Sequence, residues 1–182
     1  GSRVTLTDTG GINNGDTLTI GAGILTITNG GATLNNSNGA ILATTTLSSG
    51  TLAIVGHLNN AVGETMTFGS GNVTVGGNFT NNGTITPGTS TVTLNGTAAQ
   101  TVTGTGALTL STLSVTNTAN PNITLGTNVV VATLTGTVNL TSTCPTDYTL
   151  TSTTPAQVLH SCITPGGFNA FGIAAGGGAG RM

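Results

Sequence analysis

The sequence predicts an all-β fold, a parallel β-helix (β-solenoid) with coils of about 20 residues. Three observations predict it. Apolar and polar residues alternate with period two, glycine and asparagine separate the alternating segments, and a strand-and-turn unit repeats along the chain. Threonine is close to a quarter of the 182 residues and glycine about a sixth, and both residue types disfavour helix interiors.

The alternation is clearest in residues 17–20, 24–28, 73–75 and 91–94, where threonine alternates with leucine, isoleucine or valine. Threonine is β-branched and suits a half-exposed pleated surface, so each segment is predicted to be a strand with one buried side. Asn-Gly and Gly-Gly pairs between the segments supply the positive φ angles that tight turns require. This pattern predicts that residues 1–140 form the solenoid.

A repeated unit indicates the length of a coil. Residues 51–67 align with residues 72–86, and both have the order strand, glycine, short apolar residue, asparagine-rich corner, glycine, strand. A third unit starts at position 91, so the starts at positions 51, 72 and 91 recur at nearly equal intervals. An inexact period suits a coil whose corners accept insertions while its strands stay aligned. About seven coils are expected.

The pattern changes after the solenoid. Residues 141–165 contain prolines and the only tyrosine, and they are predicted to form an irregular C-terminal cap or a side sheet. Cys144 and Cys162 are expected to tie this segment together with a disulfide, and the alternative is two buried thiols. A bridge there would stabilise the fold by about 3 kcal/mol in the chain-entropy model.

The last segment, residues 166–182, is an apolar tail with many glycines. Two interpretations stay open: the tail packs along its own solenoid, or it is an arm that docks on a neighbouring subunit by strand addition. The first coil and this tail are the expected subunit interface, at Val4, Leu6, Phe168, Phe171 and Ile173.

Charge is almost absent from this chain. Ordinary soluble domains are about 25% charged, whereas this chain is 3% charged and has no lysine. The charged residues are Arg3, Arg181, Asp8, Asp16, Glu64 and Asp147. A low net charge favours association, and the lack of clustered basic residues excludes a nucleic-acid partner. The apolar runs are too short for a transmembrane helix.

We expect no enzyme, no metal and no cofactor. Catalysis on a β-helix would require paired carboxylates, or a carboxylate-bound cation with a base. Asp16 and Glu64 are instead predicted to lie in solvated turns, and His57 at a corner. His160 and Asp147 are the remaining candidates for metal ligands, but calcium requires more oxygen ligands than four scattered acids supply.

The segments GNFTNNGTIT, GTSTVTLNGTAAQTVTG and LSVTNT share one repeat style. In this respect residues 71–118 resemble the degenerate repeats of bacterial cell-surface adhesin and haemagglutinin-like β-helix proteins. The resemblance implies a stacked parallel β-helix and a location outside the cell. It implies no site residues.

These observations favour a secreted structural subunit of an extracellular filament or surface matrix, whose partner is a second copy of itself. The two ends of a solenoid are open strand edges that can pair with another chain. Self-assembly would then proceed by end-to-end stacking, by docking of the terminal arm, or by both. The alternative is a cell-surface adhesin segment that binds glycans or cells through a lateral face.

A second alternative is an ice-binding protein. Thr-x-Thr pairs recur along the chain, and some antifreeze β-solenoids present such pairs as one flat array. An array requires the pair at one fixed place in every coil. The intervals between successive pairs are uneven in the sequence, which predicts no common position and ranks this alternative third.

Asparagine and threonine also combine into possible N-glycosylation sequons. Chance occurrence in so Asn- and Thr-rich a chain is the other interpretation. The sequons are at Asn35, Asn72, Asn78, Asn82, Asn95, Asn122 and Asn139.

Overall fold

A computed structural model describes residues 2–7, 11–36, 44–106, 108–140, 146–161 and 170–171. These residues form 21 strands and no helix, and therefore no helix that could span a membrane. The strands in chain order are β1 (Arg3–Leu6), β2 (Ile12–Asn14), β3 (Thr17–Gly21), β4 (Ile24–Ile27), β5 (Thr33–Asn36), β6 (Thr44–Leu47), β7 (Thr51–Ile54), β8 (His57–Asn60), β9 (Thr65–Thr67), β10 (Asn72–Val75), β11 (Phe79–Asn81), β12 (Thr84–Thr86), β13 (Thr91–Leu94), β14 (Gln100–Gly104), β15 (Leu108–Val115), β16 (Ile123–Gly126), β17 (Val129–Gly136), β18 (Val138–Asn139), β19 (Thr149–Thr154), β20 (Gln157–His160) and β21 (Ala170–Phe171).

The strands stack in parallel into a β-solenoid of about six turns. Three sheets form its sides. Face A has the strand order β1-β4-β7-β10-β13-β15-β17-β19-β20, face B has β2-β5-β8-β11-β14-β16, and face C has β3-β6-β9-β12. Each of the first four coils contributes one strand to each face, in the order A, B, C. The predicted parallel β-solenoid is thus confirmed, with slightly fewer turns than the repeat length indicated.

The strand register agrees with the repeat found in the sequence. Asn72 pairs with Thr51 on one side and with Thr91 on the other, so the three predicted starts occupy one position in successive coils. Coil length varies, because Thr51 also pairs with Ile24, which lies further from it in the sequence than Asn72 does. Part of the additional length of this coil lies between β4 and β5, which are further apart in the sequence than β7 and β8. Insertions at the corners therefore leave the sheets in register.

Burial follows the period-two alternation. Leu52, Val73 and Val92 occupy one register position on face A, and each is 0% exposed. Thr74 and Thr93, at outward positions of the same strands, are only half-buried. Each inward residue packs against the coils above and below it, which stabilises the fold by about 1.5–3 kcal/mol per fully buried aliphatic side chain. The core is a continuous column along the solenoid.

Some coils approach one another too closely for any side chain. At Gly136 φ is 89°, and a Cβ added there would lie 1.9 Å from the carbonyl oxygen of Val115 in the preceding coil. Both the backbone angle and the contact exclude other residues at this position.

Antiparallel pairs end the stack at its C-terminal side. β19 pairs in parallel with β17 as far as Thr154, beyond the boundary at residue 140 expected from the sequence. The segment 141–165 then contributes β20, which pairs antiparallel with β19, and β21 pairs antiparallel with β18. Cys144 and Cys162 lie outside the described residues, so their disulfide stays a prediction.

Candidate functional site

The first coil exposes side chains whose counterparts in later coils are buried. Val4 pairs in register with Leu25, in the inward column of face A. Val4 is 52% exposed, whereas Leu25 is 7% and Leu52 is 0% exposed. Leu6, the next inward residue, is half-buried, although its register partner Ile27 is fully buried. Val4 and Leu6 are more exposed because, within the described residues, no coil precedes them to cover them.

The backbone at this end is also open. β1, β2 and β3 are the terminal strands of faces A, B and C. In the described part of the chain, none of the three has a strand neighbour on its outer side. Free N–H and C=O groups on an edge strand are a template for pairing with another strand. The N-terminal end thus offers both apolar side chains and backbone hydrogen-bonding groups.

The opposite end of the solenoid presents β20 as the terminal strand of face A. Val158 on this strand is 53% exposed, and Leu159 packs against the core. Nδ1 of His160 lies 2.6 Å from Oδ2 of Asp147, and both side chains are exposed. Such a surface ion pair contributes at most about 1 kcal/mol to the stability of the fold. The structure brings these two residues together, but the described residues contain no cluster of three metal-ligating side chains.

The tail has one described contact. The backbone of Phe171 pairs with that of Val138, on β18 of the same chain. Phe168 and Ile173, also predicted to contact another subunit, lie outside the described residues. At Ala170–Phe171 the tail therefore packs on its own solenoid.

Face C carries threonine at two outward positions of each of its four strands. One column along the solenoid consists of Thr17, Thr44, Thr65 and Thr84. The second column consists of Thr19, Thr46, Thr67 and Thr86. The threonines of β3 and β12 are exposed, and those of β6 and β9 are half-buried between their neighbours. We call these eight residues the threonine array.

The uneven spacing of Thr-x-Thr pairs predicted no common position in the coils, and for face C this prediction is wrong. The pairs that start at Thr17, Thr44, Thr65 and Thr84 are unevenly spaced in the sequence, yet they align because coil length varies at the corners. The pair on β6 was also hidden in the sequence. Its central residue, Thr45, is 0% exposed and replaces the apolar inward residue of the other strands. A three-threonine run was the signal that could have revealed it.

Face A has a shorter array of the same kind. Its columns hold Thr91 with Thr93, Thr112 with Ser114, and Thr133 with Thr135 in three successive coils. In earlier coils, however, Ile24 and Ala53 occupy the same two columns. Face C is therefore the more regular surface.

A ladder of buried asparagines runs along the corner between faces B and C. The amide nitrogen Nδ2 of Asn14 donates to Oδ1 of Asn36 at 2.8 Å, Asn36 donates to Asn60 at 2.9 Å, and Asn60 donates to Asn81 at 2.9 Å. All four are at most 8% exposed. The sequence showed an asparagine-rich corner but not which asparagine of each pair points inward.

The asparagine ladder also holds the threonine array. Nδ2 of Asn14 donates to the carbonyl oxygen of Thr44 at 2.9 Å. The corresponding bonds in the next coils are from Asn36 to Thr65 at 3.0 Å and from Asn60 to Thr84 at 3.1 Å. Each of these carbonyls belongs to the first threonine of a strand in face C. The ladder thus positions the start of β6, β9 and β12.

Asp16 and Glu64 lie at corners between strands, and His57 lies at the start of a strand. Asp16 is exposed in its turn, as expected. Glu64 is only 4% exposed, so its predicted solvated position is wrong. The chain turns inward there, and the N–H of Glu64 donates to the carbonyl of Ala61. His57 begins β8 directly after a corner, and its Nδ1 accepts a hydrogen bond from the N–H of Asn78 at 2.9 Å.

The asparagines of the possible glycosylation sequons differ in how exposed their side chains are. Asn35, Asn82 and Asn139 are half-buried. Asn122 is 1% exposed, and its Nδ2 donates to the carbonyl of Thr137 at 2.7 Å, so a glycosylating enzyme cannot reach it in the folded chain. The exposed sequon asparagines are Asn72, Asn78 and Asn95.

Comparison with protein-family models, with curated proteins and with solved structures finds no match to this chain. The resemblance of residues 71–118 to adhesin repeats therefore rests on repeat style, and it stays a prediction. The surfaces described above are the basis for a functional proposal.

Proposed function

We propose that this protein is a secreted structural subunit of an extracellular filament or surface matrix, which self-assembles through the ends of its solenoid. The observation that carries the proposal is the β20 edge, the terminal strand of face A, together with the apolar side chains exposed on β1. Val4 is 52% exposed at a register position where Leu25 and Leu52 are buried. Contact with another subunit would remove this apolar surface from water and would pair the edge of β1 at the same time.

The second surface in this contact is the β20 edge of the next copy. Leu159 there lies in the inward column, in register with Leu150, which is 1% exposed, yet Leu159 itself is only half-buried. Because the two ends are different surfaces, the contact is heterologous, and repetition of a heterologous contact produces an open filament unless the ring closes. A formal net charge of −2 on 182 residues opposes such stacking very little.

The terminal arm supplies a further route to the same assembly. β21 pairs with β18 within one chain. The same antiparallel pairing formed between two chains would exchange an identical element, which is domain swapping. The arm would then link neighbouring subunits without a new type of contact.

The test is negative-stain electron microscopy and light scattering of the purified chain over a range of concentrations. We expect the wild type to form elongated particles as concentration rises. Val4→Lys places a charge at the β1 end and should shift the formation of elongated particles to higher protein concentration. Thr74→Lys, at an outward position in the middle of face A, is the matched control and should assemble like the wild type. Monodisperse wild-type particles at the highest concentration reached would refute the proposal.

A further inference from the structure

We propose that the threonine array on face C is an ice-binding surface. Its ligand is the water lattice at the surface of an ice crystal. The array comprises Thr17, Thr19, Thr44, Thr46, Thr65, Thr67, Thr84 and Thr86 in two columns of four. This function uses a lateral face and does not depend on assembly through the solenoid ends.

The geometry of a parallel sheet imposes two repeats on this surface. Adjacent strands lie about 4.8 Å apart, and alternate residues along a strand lie about 6.6 Å apart. Both repeats approach oxygen–oxygen repeats in hexagonal ice. Eight hydroxyl groups on such a grid can take the places of lattice oxygens along two directions at once. A single column of hydroxyls would match only one direction.

Threonine suits this ligand because of its two branches. The hydroxyl group donates and accepts hydrogen bonds, and the methyl group orders the water that lies between neighbouring columns. The β-branched side chain has few χ1 rotamers, so little conformational entropy is lost when the array binds. No other residue type occupies these two columns in β3, β6, β9 or β12.

The scaffold holds the array rigid. The buried side chains of Asn14, Asn36 and Asn60 donate to the carbonyls of Thr44, Thr65 and Thr84, at distances of 2.9 to 3.1 Å. These bonds fix each strand to the corner of the preceding coil. A surface that is already ordered before binding matches a rigid lattice at lower entropic cost.

Charge lies at the edge of the array and not in its centre. A charged side chain holds a strongly oriented hydration shell of its own, which would conflict with the lattice. At that edge the hydroxyl group of Thr17 donates to Oδ1 of the exposed Asp16 at 3.4 Å, whereas Glu64 beside Thr65 is buried. The four strands span about 14 Å along the solenoid at the usual strand spacing, so we expect a modest rather than a large effect on ice growth.

The test measures thermal hysteresis and inhibition of ice recrystallisation with the full purified chain. We expect a measurable hysteresis gap in the wild type. Thr67→Tyr and Thr46→Tyr place bulky rings in the centre of the array and should abolish the gap. Tyrosine is well tolerated in strands, so circular dichroism and the unfolding midpoint should change little. Thr80→Tyr, on face B, is the matched control and should keep the full gap.

Several results would overturn this proposal. A folded wild-type protein without hysteresis and without effect on recrystallisation excludes it. Equal loss of activity in Thr67→Tyr and Thr80→Tyr would show that the effect is not specific to face C. Loss of activity in Thr93→Tyr, combined with full activity in Thr67→Tyr, would place the site on face A.

Discussion

The asparagine ladder permits a quantitative prediction at Asn60, one of its two inner members. The Asn60 side chain accepts from Asn36 at 2.9 Å and donates to Oδ1 of Asn81 at 2.9 Å. It also donates to the carbonyl oxygen of Thr84 at 3.1 Å. The substitution Asn60→Ala removes all of these bonds at a side chain that is 0% exposed. Two of the groups left behind belong to Asn36 and Asn81, which are 0% and 8% exposed, so water reaches them poorly.

The expected loss of stability follows from those groups. Each buried donor or acceptor left without a partner costs about 1–3 kcal/mol. Asn36 keeps its bond to the carbonyl of Thr65, so part of its hydrogen bonding survives. We therefore expect Asn60→Ala to lower the free energy of unfolding by roughly 3–5 kcal/mol, a large part of the 5–15 kcal/mol typical of a domain.

Urea unfolding followed by circular dichroism measures this loss. The adjacent Asn59 points outward and bonds to Asn35, where water can replace the lost partner. Asn59→Ala is the matched control, and it should cost less than about 1 kcal/mol. Similar losses for Asn59→Ala and Asn60→Ala would refute the view that the ladder stabilises the fold.

A second variant keeps this test informative if Asn60→Ala does not fold. Asn60→Asp preserves the shape but puts a carboxylate opposite the acceptor oxygens of Asn81 and Thr84. Burial raises the pKa of such a carboxyl in the folded state. The variant should therefore be most stable below about pH 4, where the carboxyl is protonated in both states, and should lose stability as the pH rises. A stability that does not change with pH would contradict the buried position.

Three further predictions test other parts of the structure. Gly104→Ala should destabilise the protein by several kcal/mol in thermal unfolding, because a Cβ there would lie 1.9 Å from a carbonyl oxygen of the preceding coil. The control is Gly106→Ala, which should be close to neutral because no atom lies within 4 Å of the added Cβ. In a host that glycosylates secreted proteins, intact mass and peptide mapping should find Asn122 unmodified even if the exposed sequons carry glycans, since Asn122 is 1% exposed. Mass spectrometry before and after reduction should show Cys144 joined to Cys162. Reduction should lower the free energy of unfolding by about 3 kcal/mol. Two thiols that can be alkylated in the native protein would contradict the bridge.

Much of the fold could be predicted from local patterns. Strand alternation depends only on neighbouring residues, because successive side chains of a strand point to opposite faces. The repeat starting at Thr51, Asn72 and Thr91 was visible for the same reason, and the register confirms it. The apolar inward column and the polar outward one follow directly from this alternation.

The candidate sites were less predictable, because they depend on which coils lie next to each other. Thr17 and Thr44 become neighbours although the chain between them is longer than in the later coils, since the register depends on which strands pair and not on the number of residues between them. Val4 is exposed because no described strand lies on the outer side of β1. The alternation of residues within a strand does not indicate whether the strand has such a neighbour. The burial of Glu64 likewise depends on how its corner packs.

The sequence by itself determined an all-β chain with an alternating, weakly charged surface and a coil of about 20 residues. Only the tertiary structure decided that the Thr-x-Thr pairs of face C form one array and that Asn14, Asn36, Asn60 and Asn81 form one ladder. The physical reason is that alternation is a property of each strand, whereas columns and ladders are made by hydrogen bonds between residues of successive coils.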